Sequence, residues 1–444
     1  MGPLKESGRL KTAGWGARLR ALLLVAAMLL LSVGLTLWRH NGSGYLTGFW
    51  DNASQTLVFG RMLQMQQDQS SPGGFMGVYT EDWSDDSNRT MYRDNTPVTP
   101  DQFHAYTHQS GLQGTALGLL NKVYSVFEDD GAARETLLYT TNSVLFYLVT
   151  LLVCWGVRRG MGNLAALAWL AAAVFAPWPQ RGMKDLYWCL WTWLLPALAG
   201  LALCAAVRRG RPLGRYLAAV FAACLLRCMC GFEFISVFLI LCEMPLVWCW
   251  ARDLCSGRPA AAWLGRMVRT GLAAVGGVAA ALAVWFAQGW LYFGTAAQSW
   301  QNLTAAVTSR VSLTDGVVGD VTVGQVLYRY LVEVREPLLQ FGPVTVTLWP
   351  LTAAVAAAFV LCAAVLAARH RRASPVLVPA ALCWALSFAA PLSWMVLSKV
   401  HAYVHLHLVP MLWHFAYVPC SCALLAFLVS RAVRELVRPA ADSI

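Results

Sequence analysis

The chain alternates long apolar runs with short polar breaks, and the regularity of that alternation is its first informative feature. Apolar runs recur at residues 21–38, 138–156, 163–178, 186–206, 216–230, 232–250, 270–292, 343–368, 375–396 and 408–430. A helix of about 20 residues crosses a hydrocarbon core of roughly 30 Å. The pattern therefore predicts an all-α polytopic membrane protein with about ten transmembrane helices, the third and fifth being the shortest, in a single integral-membrane domain over residues 1–444.

Two polar connections are long, residues 39–137 and 293–342. Connections of that size usually carry function. The first begins GYLTGFWDNASQTLVFGRMLQMQQD, where Leu57, Val58, Met62 and Met65 recur at helical spacing after Asp51, and predicts a helix along the membrane surface with Asp51 at its start. A stretch rich in Gly, Pro, Ser, Asp and Asn follows, which is turn chemistry. Helical spacing resumes in SGLQGTALGLLNKVYSVF, with Leu112, Ala116, Leu119 and Leu120 as its apolar face. The expected loop is thus helix, irregular crossing, helix.

Composition agrees with the pattern and charge orients it. The chain is 58% hydrophobic and 13% charged, with 20 tryptophans and a net charge of +11. Cytoplasmic loops are enriched in Lys and Arg. With the N-terminus inside, alternate breaks collect Arg158 and Arg159, then Arg208, Arg209, Arg211 and Arg215, then Arg252, Arg258, Arg266 and Arg269, and later Arg369, Arg371 and Arg372. This predicts a multi-pass protein of the plasma membrane with both termini cytoplasmic. The positive charge then faces anionic lipid, and no nucleic-acid partner is expected. The first run follows Arg18 and Arg20 and lacks a small-residue cleavage site, which reads as an uncleaved anchor. Twelve of the 13 cysteines fall in or at the ends of apolar runs and read as small buried hydrophobes without disulfides. Cys228-Met229-Cys230 has no second pair to complete a zinc site.

The remaining polar groups gather in the other set of breaks. PWPQRGMKDLYW supplies Arg181, Lys184 and Asp185, and RCMCGFEF supplies Arg227 and Glu233. Charges at membrane depth cost about 2.5–3.5 kcal/mol on insertion scales, so Arg227, Glu233 and Glu243 each require a partner or a task. Tyr187, Trp188, Trp191 and Trp193 also fit an aromatic belt facing lipid. KVHAYVHLHL brings Lys399, His401, His405 and His407 together, with His414 close by. His401 and His405, like His104 and His108, have the i, i+4 spacing of metal ligands on a helix. An interfacial rim of His and Tyr, contacts to a phosphate, and a metal site all remain open for these histidines, and Lys399 tilts the functional choice toward phosphate, because a cation repels a metal. Glu81 to Asp86 packs four acids without the ligand spacing of a calcium loop and reads as a solvated turn.

With these residues in view, the layout resembles the GT-C superfamily of integral-membrane glycosyltransferases, or a bacterial relative of it. The resemblance rests on Asp51 in FWDNASQ soon after the first span, the long helical first loop, Lys184 and Asp185 in MKDLYW, and SKVHAYVHLHL near the last span. It implies a transferase of the cell envelope that moves a sugar from a polyprenyl-phosphate donor to an acceptor at the outer membrane face. In that family an aspartate of the first outer loop is the catalytic acidic residue and basic residues hold the lipid phosphate. Asp51 matches the first role, although Asn52 stands where many relatives carry a second acid. Arg181, Lys184 and Lys399 match the second role. Asp185, Arg227, Glu233, His401, His405 and His407 complete the candidate substrate-binding set. Asp51 suits a helix cap as well as a base. No cofactor is firmly implied, a divalent metal is left open, and the partners implied are the polyprenyl-phosphate-linked sugar and membrane lipids. The rival classes are a transporter or flippase of a lipid-linked or anionic solute and a non-enzymatic assembly protein. The sequence sets no oligomeric state.

Overall fold

The structure, a computed structural model, describes residues 15–40, 51–80, 86–311, 321–406 and 409–438. In chain order its helices begin with α1 (Trp15–His40), α2 (Asn52–Gln66), α3 (Ser87–Arg93), α4 (Leu112–Tyr124), α5 (Gly131–Met161) and α6 (Asn163–Phe175). There follow α7 (Pro177–Gly182), α8 (Trp191–Arg208), α9 (Gly214–Cys230), α10 (Ile235–Cys255) and α11 (Ala261–Phe293). The chain closes with α12 (Ala296–Val311), α13 (Val323–Tyr328), α14 (Leu348–Ala368), α15 (Ser374–Leu397), α16 (Lys399–Val404), α17 (Val409–Phe415) and α18 (Tyr417–Val437). Strand pairing among the described residues is confined to the short antiparallel pair of β1 (Gly77–Val78) with β2 (His104–Ala105) and the hairpin of β3 (Leu339–Phe341) with β4 (Val344–Val346).

The protein is all-α and polytopic. Each of the ten expected spans overlaps a helix, the tenth being divided between α17 and α18, and seven of the described helices are long and apolar enough to cross a membrane: α1, α5, α8, α10, α11, α14 and α15. Of the rest, α6 has 13 residues and α9 has 17, while α18 has 21 and carries Arg431, Arg434 and Glu435 in its last turns. The hydrophobic core runs through the bundle, with α10 laid along α15 and α8, α11 along α9, and α18 against α6 and α14. All 13 cysteines are free and ten of them are buried, as expected for small apolar side chains in helix interfaces.

Three local expectations change on contact with the tertiary structure. Helix α2 keeps no exposed polar face along its centre, since every residue from Gln55 to Gln64 is buried. Its polar side chains are spent inside the protein. Gln55 Oε1 accepts the Leu186 N–H at 3.1 Å, Thr56 Oγ1 accepts from Asn88 Nδ2 at 3.0 Å, and Arg61 bonds Gln64. Such groups are tolerated in an interior only when bonded in this way. At the crossing with β1 the helix carries Gly60, where a Cβ would stand 2.0 Å from the Gly77 carbonyl oxygen.

Helix α4 turns its expected apolar face outward. Gln113, Gly114, Leu117, Gly118 and Asn121 are buried, whereas Leu119 is 58% exposed and Val126, just past the helix, 83%. The small residues let α4 approach α2 closely: a Cβ at Gly118 would fall 2.5 Å from Met65 Sδ. Close helix contact through small residues with apolar side chains left outside is the arrangement expected beside lipid.

The fourth span starts later than its apolar run, because residues 183–190 form a buried turn before Trp191 opens α8. Tyr187, Trp188 and Trp193 are buried within the bundle and do not form a lipid-facing belt.

Between α2 and α4 the crossing carries α3 and the antiparallel β1–β2 pair. It is tied to α5 by Glu135, 1% exposed, which bonds Arg89 at 2.6 Å and also pairs with Arg93.

Candidate functional site

The described parts of the connections 51–130, 176–190, 231–234, 294–347 and 398–416 meet at one end of the bundle, where residues of all five line the same cavity. The arginine-rich connections gather at the other. At the first end lies a cavity of about 330 Å³. Every one of those five connections contributes to its wall: Asp51, Ser54, Tyr106 and His108 from the first, Tyr187 and Trp188 from the second, Glu233 from the third, Ser309 from the fourth, and Val400, His401, Val404 and His405 from the fifth.

Asp51 is placed by two interactions that its position at the head of α2 makes available. Its Oδ1 accepts the Ser54 N–H at 3.0 Å, the N-cap bond expected for an aspartate before a helix. Its Oδ2 accepts the indole N–H of Trp188 at 3.0 Å. The cap reading of Asp51 is therefore correct as geometry, and the same carboxylate also faces the cavity. Each oxygen retains acceptor capacity for a ligand hydroxyl.

Trp188 is presented by the buried turn. Asp185 Oδ1 accepts the backbone N–H groups of Tyr187 and Trp188 at 3.0 and 3.1 Å, and Asn142 donates to the Asp185 carbonyl at 2.6 Å. Burial pushes the Asp185 carboxyl well above the usual carboxylate range, the charge of Asp51 adds to this, and backbone N–H groups offset part of it. Asp185 is buried behind the cavity wall. Lys184 is likewise buried in the turn, outside the lining, and burial pulls its ammonium down to about 8 while Asp185 opposes the shift.

Arg227 lies beneath the third connection. It is 1% exposed, its guanidinium sits 4.8 Å over the Trp193 ring, and it donates to the Glu233 carbonyl at 3.1 Å. Phe234 follows with φ of 65°, and Cys189, after Trp188, has φ of 43°. Both are non-glycine residues in the left-handed region, which costs on the order of 1–3 kcal/mol each and persists where the surroundings hold it. Here the surroundings are aromatic: Phe234 stacks on Trp188 at 5.8 Å and meets Trp193 at 4.9 Å and Trp394 at 5.2 Å. This cluster forms the floor under Glu233 and His401.

His401 and His405 lie on and just after α16 with ring centroids 4.6 Å apart, and His401 packs edge-on against Trp394 at 5.7 Å. Lys399 is half-buried at the start of α16 and does not line the cavity. Arg181 is exposed on α7, its guanidinium 5.3 Å over Trp178, away from the cavity. His407 and the acids Glu81, Asp82 and Asp85 lie outside the described residues. His414 is buried in α17 and is no part of a rim. The pair His104 and His108 does not share a helical face, because strand β2 places the exposed His104 opposite Val78 and a turn carries His108 into the cavity beside Tyr106, 5.3 Å between centroids.

The structure thus brings Asp51, Glu233, His401 and His405 to one cavity, sets Lys184, Asp185 and Arg227 behind its walls, and leaves Arg181 elsewhere. Sequence reading passed over Tyr106, Tyr187, Trp188 and Ser309 as site residues; none stands in a spacing that signals chemistry. Among the described residues no three His, Cys, Asp or Glu side chains are grouped to hold a metal ion. Chemically, the cavity offers two carboxylates as proton acceptors, three imidazoles as donors to anionic oxygen, and aromatic faces that suit the apolar side of a ring.

No family model and no curated protein matches the chain. Among solved structures it is similar to the oligosaccharyltransferase of Archaeoglobus fulgidus in the apo form, with a TM-score of 0.43 and 11% identity over 93% of this chain and 51% of that one. The chain therefore spans about half the length of that enzyme.

Proposed function

We propose that the protein is a GT-C type glycosyltransferase that moves a sugar from a polyprenyl-phosphate donor to an acceptor hydroxyl at the outer membrane face. The observation that carries this reading is the cavity itself, where all five connections at one end meet around Asp51, Glu233, His108, His401 and His405. In the proposed reaction the bond between the anomeric carbon and the phosphate oxygen breaks as the acceptor oxygen bonds that carbon. Asp51 takes the acceptor proton, and polyprenyl phosphate leaves. Trp188 and Ser54 hold the Asp51 carboxylate in place, which limits the reorganisation needed during reaction. The imidazoles of His401 and His405 donate to the leaving phosphate, and Glu233 bonds sugar hydroxyls. Charge developing on a phosphate in such a site is stabilised by donors already in position. Lys184 and Arg227 add positive charge from behind the walls.

The test is transfer by the full chain reconstituted in liposomes with synthetic polyprenyl-phosphate-linked hexose and pentose donors. Release of polyprenyl phosphate with a glycosylated product supports the reading. Movement of the intact donor across the bilayer without any covalent product would replace it with the transporter class.

A further inference from the structure

We propose that the opposite, arginine-rich end of the bundle carries a binding site for one anionic glycerophospholipid. A groove of about 360 Å³ opens there between α5, α8 and α10, within the range of about 300–1,000 Å³ typical of small-molecule sites. Its walls are apolar side chains such as Leu201, Leu241 and Met244, and its charged lining residues are Arg159, Arg208 and Arg209.

Charge complementarity identifies the occupant. None of these three arginines makes an ion pair among the described residues. The Arg208 guanidinium donates to Cys249 Sγ at 3.0 Å, and Arg159 rests 5.1 Å over the Trp155 ring, with Arg158 also stacked there at 4.9 Å. The nearby acid Asp253 is already taken, by Arg258 at 3.1 Å and by the Trp263 indole at 2.9 Å. Three guanidiniums lining an apolar groove, two of them (Arg159 and Arg209) close enough to repel each other, call for a ligand with oxyanions at one end and hydrocarbon at the other. Guanidinium forks match phosphate oxygens in pairs. Trp248, 7% exposed, lines the same groove. Acyl chains fill the apolar walls while the phosphate sits among the arginines.

This site lies at the end away from the cavity that contains Asp51 and does not depend on the glycosyltransferase reading. The experiment is native mass spectrometry of the full chain in neutral detergent, titrated with phosphatidylglycerol or with phosphatidylcholine of the same acyl chains. The expected result is one phosphatidylglycerol retained with at least tenfold preference over phosphatidylcholine. The triple variant Arg159→Gln, Arg208→Gln, Arg209→Gln is expected to lose the preference, and Ala205→Trp, which fills the groove but keeps the arginines, to lose the retained lipid. Equal retention of the two lipids by the unchanged protein overturns the proposal, whether or not a variant folds. So does a preference that survives the triple variant, or full displacement by millimolar inorganic phosphate, which would make the site one for a free anion.

Discussion

The indole N–H of Trp188 donates to Asp51 Oδ2 at 3.0 Å, joining the head of the first-loop helix to the buried turn that follows α7. This bond fixes the carboxylate in the cavity and couples two segments 137 residues apart. Hydrogen bonds to a charged group are worth about 1.5–3 kcal/mol. Trp188→Phe keeps a ring against Phe234 and removes only the donor, so kcat/KM for transfer is expected to fall roughly 10- to 100-fold. Initial rates together with a melting curve check this. A fall in Tm large enough to unfold the protein, with unchanged specific activity of the folded fraction, would assign the bond to stability alone.

Asp51 caps α2 and faces the cavity, and two substitutions separate these tasks. Asparagine caps a helix about as well as aspartate, so Asp51→Asn is expected to keep the fold while lowering transfer by about 10²- to 10⁴-fold, the usual loss of a general base. Asp51→Ala loses the cap too and is expected to cost about 1 kcal/mol more in stability. Transfer by Asp51→Asn at the wild-type rate rules out the proposed role.

Lys184, pulled down to about 8 by burial, holds its proton less tightly in the folded chain than in the unfolded chain, where lysine titrates near 10.4. Between those values unfolding takes up a proton. The contribution to stability therefore rises with pH across that window, by roughly 3 kcal/mol in all, and is lost as pH falls through about 8. Thermal unfolding in neutral detergent across the window is expected to show this rise for the wild type and a flatter profile for Lys184→Met. Parallel profiles for the two proteins would contradict it.

Glu135, buried on α5, holds Arg89 and Arg93 of α3. Removing one partner of a buried pair typically costs about 3–5 kcal/mol because charge is left uncompensated. Arg93 is partly exposed, which places the expected cost of Glu135→Gln near the lower end. The loss is local: amide exchange is expected to quicken in α3 and the β1–β2 pair and to stay unchanged in α10 and α15. Uniform loss of protection through the bundle would show that the crossing folds as one unit with the spans.

Much of the architecture could be read along the chain. The apolar runs mark helices because a chain in lipid must satisfy its backbone internally and expose hydrocarbon, which leaves a run of apolar residues as its trace. Asp51 was legible as the head of α2 because capping depends on neighbours three residues away. The orientation of α4 was not legible. In a membrane protein Leu119 can face lipid while Gly118 faces α2, so hydrophobic periodicity marks a helix without telling inside from outside. The depth of α2 escaped for a related reason, since Gln55, Thr56 and Arg61 read as surface residues until their partners on distant segments are known.

The order of apolar and polar residues along the chain was enough for the helical, membrane-crossing class, the long first loop, and the residue types available at each break. That Asp51, Trp188, Glu233 and His401 line one cavity while Arg181 does not follows from the packing of the bundle. Local spacing governs what a helix or cap needs within a few residues. The site is assembled from five connections whose meeting depends on how the helices pack, and that information lies in contacts between side chains far apart along the chain.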